Sequence, residues 1–297
     1  MKRWLLAASA MAAASAASAQ FATGSFFASN DSDDFDEVRI SAGATAANGF
    51  GAALGTARYS APGWSANGTS LAATYKEFGR ERQVDASIGV ARIEGDNYAV
   101  GGLDYLYTWT SGNALGLSLE RNIVNSQGGI EDGIVYNALA LVGDYAFSPI
   151  VNVGAAAGGS YFSDGNQRPF VRTRWNYLLN ETYALNTYLK TRSYRNSDPD
   201  RPQYYSPRSL NEVSIGLSTR WRAAERVVLS AWADVGRQYT SGDDQSIWSA
   251  FVGLVSPHTD PIRWNLGLLA TNTASIFTSQ TGAYNYLSLA GQINLPF

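Results

Sequence analysis

Three pairs of basic residues in the second half of the chain have members two positions apart. They are Arg172 and Arg174, Lys190 and Arg192, and Arg220 and Arg222. Residues i and i+2 of a strand share one face, so each pair would place two cationic hydrogen-bond donors side by side. Such donors can bind the hydroxyl groups of a sugar chain or attract an ion. In a closed interior they can equally form ion pairs that brace the wall, with Asp104, Glu120, Asp144, Glu212 and Asp234 as candidate partners.

Catalytic chemistry has few candidate residues in this sequence. The chain has no Cys and a single His, His258, between two prolines in a segment that we predict to be a turn. Nucleophilic and general-base catalysis usually need one of these residue types. No G-x-S-x-G, P-loop or HExxH motif is present. We therefore predict no catalytic residues, no metal site and no cofactor.

Acidic residues gather where we predict the outer loops of the protein. They are Asp31, Asp33, Asp34, Asp36, Glu94, Asp96, Glu131, Asp132, Asp198, Asp200, Asp243 and Asp244. One interpretation is a solvated rim that binds divalent cations bridging lipopolysaccharide. The other is an electronegative mouth that attracts a cationic or cation-coated solute. Aromatic residues of inward parity, among them Tyr136, Tyr188, Trp232, Tyr284 and Tyr286, could stack on sugars, although packing explains them equally well.

The elements that would position these residues are strands with a two-residue period. Val213, Ile215 and Leu217, for example, alternate with polar or small residues, which is the pattern of a strand with one apolar face. We predict sixteen strands at 21–29, 36–46, 50–59, 68–77, 83–92, 98–109, 114–123, 133–146, 149–161, 168–178, 182–193, 209–222, 226–238, 246–256, 262–272 and 284–296. The fold class is all-β, a single antiparallel transmembrane barrel, with fourteen strands as the alternative. Connections after even strands should be short, and those after odd strands, such as 60–67 and 194–208, longer.

Both ends of the chain carry signals typical of an exported outer-membrane barrel. Lys2 and Arg3 precede an Ala-rich apolar run and an Ala17-Ser18-Ala19 cleavage site, so residues 1–19 are predicted to be a signal peptide and 20–297 the barrel. Removing Lys2 and Arg3 would change the net charge from −3 to −5. At the other end, Leu295 and the terminal Phe297 close an alternating strand, which resembles the assembly signal of bacterial outer-membrane barrels.

Composition excludes several other classes. After the signal no run of about 20 apolar residues occurs, as a helical membrane span would need. The chain is acidic and has no basic cluster, which argues against nucleic acid. Seventeen Tyr and eight Trp suit the aromatic girdles of a membrane barrel. The expected partners are outer-membrane lipid, lipopolysaccharide and the barrel-assembly machinery.

One short segment adds a family resemblance. Tyr204-Tyr205-Ser206-Pro207-Arg208, ahead of the strand that contains Val213–Leu217, resembles a Tyr-aromatic-Ser/Asn-Pro-basic element of exopolysaccharide export porins. Those porins pass poly-N-acetylglucosamine or cellulose-type polymers. The resemblance implies a sixteen-stranded barrel, and it implies a polysaccharide and periplasmic export proteins as partners. The long periplasmic array of helical repeats that those porins carry is not found here, and their small repeat-free relatives also lack it. Tyr204 and Tyr205 could line the lumen, stack on a sugar, or fold back as a plug.

Three functions fit these observations. The first is an outer-membrane channel connected with carbohydrate passage or surface attachment, with Arg172, Arg174, Lys190, Arg192, Arg220, Arg222, Tyr204 and Tyr205 as solute contacts. The second is a general diffusion porin for small solutes. The third is a closed structural barrel whose loops bind partners.

Overall fold

The chain forms one closed antiparallel barrel of sixteen strands. The computed structural model describes residues 21–257, 259–273 and 284–297; the predicted signal peptide and His258 lie outside this range. The strands are β1 (Phe21–Asp31), β2 (Asp36–Thr45), β3 (Phe50–Ala61), β4 (Trp64–Phe78), β5 (Arg82–Ile93), β6 (Asp96–Thr110), β7 (Asn113–Ile123), β8 (Val135–Ser148), β9 (Val151–Phe162), β10 (Gln167–Asn180), β11 (Leu185–Arg195), β12 (Ser209–Ala224), β13 (Val227–Thr240), β14 (Asp244–Val255), β15 (Arg263–Thr271) and β16 (Tyr286–Pro296).

Pairing between the first and last strands closes the wall. Each strand pairs with its sequence neighbours, and β1 pairs with both β2 and β16, from Phe21 opposite Pro296 to Asp31 opposite Tyr286. The predicted sixteen-stranded antiparallel barrel is confirmed, and the fourteen-stranded alternative is excluded because β1 lies in the wall. We call the end with Phe21 and Pro296 the terminus end and the opposite end the loop end.

The period-2 pattern separates two faces of the wall. Outward positions carry exposed apolar side chains such as Leu54, Ile215 and Leu289, and a surface of this kind is suited to lipid. In 50–59 the alternation of apolar and polar residues is weak. The inward positions are Gly51, Ala53 and other small residues, which differ little in polarity from the outward residues. Small inward residues leave room in the lumen for long side chains from other strands.

Outward aromatic residues are concentrated at the terminus end. They include Phe50, Tyr75, Tyr105, Tyr107, Trp109, Tyr145, Phe147, Trp175, Tyr177, Tyr183 and Trp221. Several are in ring contact: the ring centroids of Phe50 and Tyr75 lie 4.8 Å apart, and those of Phe147 and Trp175 5.7 Å. Tyr and Trp prefer the membrane–water interface, so this girdle marks one expected interface of the barrel.

The predicted alternation of short and long connections holds only in part. We expected a loop over 60–67, but β3 and β4 are joined by the two residues Pro62 and Gly63, with φ +75° at Gly63. A Pro–Gly pair with positive φ at Gly is the pattern of a type II turn. Glu94 and Gly95 join β5 to β6, both with positive φ, as a type I′ hairpin requires. Both turns lie at the loop end, so these outer connections are short.

A short helix, α1 (Gln127–Glu131), interrupts the connection between β7 and β8 and was not predicted. Ser126 caps it, because the Ser126 Oγ accepts a hydrogen bond from the Gly129 N–H at 3.1 Å. Across the described ranges, the structure contains no helix with the length and apolar character that a membrane span requires.

The C-terminal strand gives a test of assembly. Leu295 faces outward and Phe297 is exposed, whereas Asn294 faces inward and accepts a hydrogen bond from Thr23 at 2.8 Å. We expect Leu295→Asp and deletion of Phe297 each to lower the amount of folded barrel in the outer membrane. An outward carboxylate costs less than the roughly 2–4 kcal/mol of Lys or Arg at the midplane, so the loss should be partial.

The measurement for these variants is the fraction of heat-modifiable, folded protein on gels of outer-membrane preparations. Asn294→Asp is the matched control, since it adds the same charge one residue away on the inward face and keeps an acceptor for Thr23. Wild-type amounts of folded protein from Leu295→Asp and from the Phe297 deletion would contradict the assignment of an assembly signal.

Candidate functional site

The inward face of β10–β13 is a wall rich in cations. Its charged residues are Arg168, Arg172, Arg174, Lys190, Arg192, Arg220 and Arg222, with only Glu212 and Asp234 of opposite sign. We call this set the basic wall. The six basic residues predicted from their spacing all belong to it. Their proposed contact with a solute remains a prediction.

Two ion pairs hold the centre of the basic wall. Arg192 binds Glu212 with both ends of its guanidinium, the Nε donating to Oε2 at 2.6 Å. The Lys190 Nζ donates to both carboxylate oxygens of Asp234 at 2.8 and 2.9 Å. Both carboxylate groups are buried. Glu212 and Asp234 were among the five candidate partners; Asp104 instead accepts a hydrogen bond from Ser118 at 2.6 Å.

The strand register places like charges opposite each other. Arg172 faces Arg192 across β10 and β11, and Arg174 faces Lys190 two residues further along. Directly opposed like charges destabilise a sheet. Glu212 on β12 and Asp234 on β13 supply the compensating charge. The wall therefore depends on two carboxylates to hold four closely spaced cations.

Aromatic rings near the basic wall already have packing partners. The guanidinium carbon of Arg174 lies 3.7 Å from the centroid of the Tyr188 ring, and the Tyr188 hydroxyl donates to Asp234 at 3.0 Å. Trp232 stacks on Phe251 with a centroid distance of 5.8 Å. Tyr136 donates a hydrogen bond to Glu120 at 2.7 Å. These contacts favour packing over sugar stacking for these three aromatic residues.

Arg220 and Arg222 lie apart from the central ion pairs. Both are near the terminus end of β12, opposite Ser230 and Val228 on β13. Arg222 is exposed. The six predicted basic residues thus form a central group of four and a second group at the terminus end of the same wall.

The connection between β11 and β12, residues 196–208, folds back against the inward face at the loop end. We call it the fold-back loop. Tyr204 is fully buried and Tyr205 nearly so. The Tyr204 ring stacks on Phe162 of β9 at 4.7 Å between centroids, with an interplanar angle of 11°. The Tyr205 hydroxyl accepts a hydrogen bond from the Gln238 Nε2 at 3.1 Å. Both tyrosines therefore pack against the wall.

Arg168 is the main attachment point of this loop. Its Nε donates to the Asn196 Oδ1 and its Nη2 to the Tyr205 carbonyl oxygen, both at 2.7 Å. Its guanidinium lies 4.7 Å from the ring centroid of Tyr194 and 5.9 Å from that of Tyr204. Only 2% of Arg168 is exposed. Arg168 was not among the predicted site residues, although it has the same inward parity as Arg172 and Arg174.

The other side of the fold-back loop is attached to the neighbouring connections. The Ser126 Oγ donates to the Gln203 carbonyl oxygen at 2.5 Å, and the Gln203 Nε2 donates to Asp132 at 2.8 Å. The Tyr204 hydroxyl donates to Asp164 at 2.9 Å. Helix α1 and the β9–β10 connection therefore hold the loop from the side opposite to Arg168.

The two loop tyrosines are neutral over the ordinary pH range. Burial is the main cause that raises the pKa of both Tyr204 and Tyr205 above the usual value for tyrosine. A hydrogen bond to Asp164 raises the pKa of Tyr204 further, because the nearby carboxylate disfavours a phenolate. Each hydroxyl stays available as a hydrogen-bonding group within the closed loop.

The predicted acidic clusters lie at the loop end, in its connections or in the adjacent strand residues. Asp132 and Asp198 are engaged with the fold-back loop, through Gln203 and Arg201 respectively. Within the described ranges, no three carboxylate or imidazole groups are close enough to hold a metal ion.

No protein-family model and no curated protein sequence matches the chain. Among solved structures, a bacterial polysaccharide outer membrane secretin superposes with a TM-score of 0.71 at 16% identity, over 93% of this chain and 98% of that one. CdiB from Acinetobacter baumannii gives a TM-score of 0.48 at 11% identity, over 94% and 60% of the two chains. OmpT of Vibrio cholerae gives 0.42 at 9% identity, over 94% and 98%. The chain shares the barrel fold of the polysaccharide secretin over nearly its whole described length.

Proposed function

We propose that the protein is an outer-membrane channel that passes a polar carbohydrate chain along the basic wall. The terminus end would face the periplasm and the loop end the exterior. The observation that carries the proposal is the basic wall, which places seven cationic side chains on one side of the lumen, from the level of Arg168 to that of Arg222. Hydroxyl groups of a sugar chain are good acceptors for such donors, and repeated donors suit a polymer with repeated acceptors.

A small cavity beside the basic wall supports this path. It has a volume of about 70 Å³ and is lined by Ser118, Glu120, Ala138, Ala140, Ala156, Phe170 and Arg172. Its lining combines the methyl groups of three alanines with the charged side chains of Arg172 and Glu120. The cavity has the mixture of small apolar and polar groups that a sugar hydroxyl and its ring carbon can contact together.

The structural neighbour with the same barrel fold supports this proposal. That neighbour is a bacterial polysaccharide outer membrane secretin whose chain matches over 98% of its length. The resemblance of Tyr204–Arg208 to exopolysaccharide export porins agrees with it. In this proposal the fold-back loop controls entry at the loop end, and periplasmic export proteins would deliver the polymer.

A closed structural barrel is the second candidate, favoured by one observation. The fold-back loop is fixed on both sides, by Arg168 and by the α1 and β9–β10 connections. If the loop never leaves this position, the arginines of the basic wall serve only to brace the barrel.

Planar-bilayer conductance decides between these functions. We expect the wild type to conduct, and we expect Arg220→Gln with Arg222→Gln to shift ion selectivity toward cations by about twofold, because inward cations favour anions in a narrow pore. The matched control is Arg80→Gln with Arg226→Gln, which removes two charges from terminus-end connections outside the lumen. Soluble β-linked oligosaccharides should reduce the wild-type current.

Two results would contradict the proposed channel. No measurable wild-type conductance, where a control porin conducts, would favour the closed barrel. A wild-type current that neither small neutral sugars nor oligosaccharides reduce would favour a general diffusion porin over a carbohydrate path.

A further inference from the structure

Three arginine–asparagine pairs repeat on the outward face of β3–β8. The pairs face each other directly across neighbouring strands: Arg58 with Asn67, Arg92 with Asn97, and Arg121 with Asn137. Each pair belongs to one hairpin that turns at the loop end. All six side chains are exposed. The repeat places arginines on β3, β5 and β7 and asparagines on β4, β6 and β8, along a continuous piece of wall.

The three arginines lie close to the loop end of their strands. Arg58 is three residues before the last residue of β3, Arg92 one before that of β5, and Arg121 two before that of β7. An outward arginine costs roughly 2–4 kcal/mol at the bilayer midplane and about 0–1 kcal/mol near an interface. This position therefore places the row at the level of lipid headgroups.

The row replaces an aromatic girdle on this side of the barrel. In the described chain, the loop ends of β3–β8 have no exposed outward aromatic residue, whereas the terminus ends of the same strands have Phe50, Tyr107, Trp109 and Phe147. Below the arginines the surface is apolar, with Leu54, Leu71, Ile88, Val90 and Leu119 exposed. Cations and amides thus sit directly above a surface that suits acyl chains.

The arginines are available for an external anion. Among the described residues, no carboxylate lies within ion-pair distance of Arg58, Arg92 or Arg121. Arg121 is oriented by two bonds along the wall, to the Asn137 Oδ1 at 2.7 Å and the Ala99 carbonyl oxygen at 3.0 Å. On the opposite wall, the outward Arg237 is 3.3 Å from Asp244. The outward face of β3–β8 thus carries three exposed arginines that have no acidic partner in the described part of the chain.

We propose that this surface binds the phosphate groups of a membrane-embedded saccharolipid in the outer leaflet. The guanidinium groups donate to the phosphate oxygens, a pairing that arginine makes with good geometry. The asparagine amides bind the sugar hydroxyls between the phosphates. The acyl chains lie along the apolar surface beneath. This lipid site is independent of the proposed channel, because it uses only the outward face.

The test is binding of bisphosphorylated lipid A to the folded, detergent-solubilised full-length mature protein, measured by native mass spectrometry. We expect Arg58→Gln with Arg92→Gln and Arg121→Gln to weaken binding by at least about tenfold, since charge-assisted bonds to phosphate are lost. The matched control is Arg195→Gln with Arg208→Gln and Arg237→Gln, which removes three exposed charges from the opposite side. The control should bind within about twofold of the wild type.

A second comparison uses only the wild type and so does not depend on how the variants fold. Dephosphorylated lipid A should bind at least about tenfold more weakly than the bisphosphorylated form. Equal binding of the two lipids, or an equal loss in both triple variants, would overturn the site. Displacement of the lipid by millimolar inorganic phosphate would also overturn it, because a phosphate pocket would then exist without the lipid surface.

Discussion

The Glu212→Gln variant is expected to lose about 3 kcal/mol of unfolding free energy, because removing one partner of a buried ion pair leaves the other charge uncompensated. Glu212 is only 7% exposed and binds both ends of the Arg192 guanidinium. Arg172 lies directly opposite Arg192. The glutamine keeps the shape and one acceptor oxygen, so the loss reports the charge rather than a cavity.

Equilibrium unfolding in urea with the barrel in lipid vesicles gives this free energy. The matched control is Glu77→Gln, the same substitution in an exposed pair in which Arg82 donates to Glu77 at 2.7 and 3.0 Å. Exposed pairs contribute about 0–1 kcal/mol, so the control should change little. The double variant Glu212→Gln with Arg192→Gln should be more stable than Glu212→Gln alone. If Glu212→Gln lost no more unfolding free energy than the Glu77→Gln control, Glu212 would not be needed to neutralise the cations of the basic wall.

The strands of the barrel wall could be predicted from sequence because the alternation of outward and inward residue types is a local property of the chain. A strand with one lipid face must alternate, and residues such as Val213, Ile215 and Leu217 show that alternation without any long-range information. The same parity correctly placed the six predicted basic residues inward. Strand ends could be located within a few residues for the same reason, since alternation stops where the chain leaves the wall.

The connections could not be predicted in the same way. Pro62-Gly63 and Glu94-Gly95 are tight turns, but the polar residues around them also fit longer loops. The turn type depends on backbone angles that only the register of the flanking strands selects. Helix α1 has five residues and is held by contacts with Gln203, far away in the sequence. Nothing in its own segment required a helix.

The partners within the site depend on register, which the sequence does not reveal. Parity alone could not choose among five candidate carboxylates, whereas the register sets Glu212 opposite Arg192. The role of Arg168 depends on the position of the fold-back loop. It is visible only in the structure, where Arg168 donates hydrogen bonds to Asn196 and to the Tyr205 carbonyl oxygen. The Arg58, Arg92 and Arg121 row is likewise created by pairing across hairpins, although each arginine is visible in the sequence.

The Arg168→Gln variant is expected to release the fold-back loop while the barrel stays folded. The change removes two 2.7 Å hydrogen bonds to the loop, at Asn196 and at the Tyr205 carbonyl oxygen, and the guanidinium contact with the Tyr204 ring. An unsatisfied buried group costs about 1–3 kcal/mol, and the cation–π contact with Tyr204 contributes roughly 0.5–2 kcal/mol. A combined loss of about 3 kcal/mol would raise the open population on the order of 100-fold.

Limited chymotrypsin digestion measures this opening, because cleavage after Tyr204 or Tyr205 requires the buried loop to leave the wall. When closing is faster than cleavage, the cutting rate follows the open population, so Arg168→Gln should be cut on the order of 100-fold faster than the wild type. Arg195→Gln is the matched control, since Arg195 is exposed and is the last residue of β11, directly before the loop. Gel mobility before heating confirms that each barrel is folded.

In planar bilayers the Arg168→Gln channel should open more often than the wild type if the fold-back loop controls entry. Equal digestion rates for Arg168→Gln and Arg195→Gln would show that the loop is held without Arg168, and an unchanged opening frequency despite rapid cleavage would separate the loop from the control of passage.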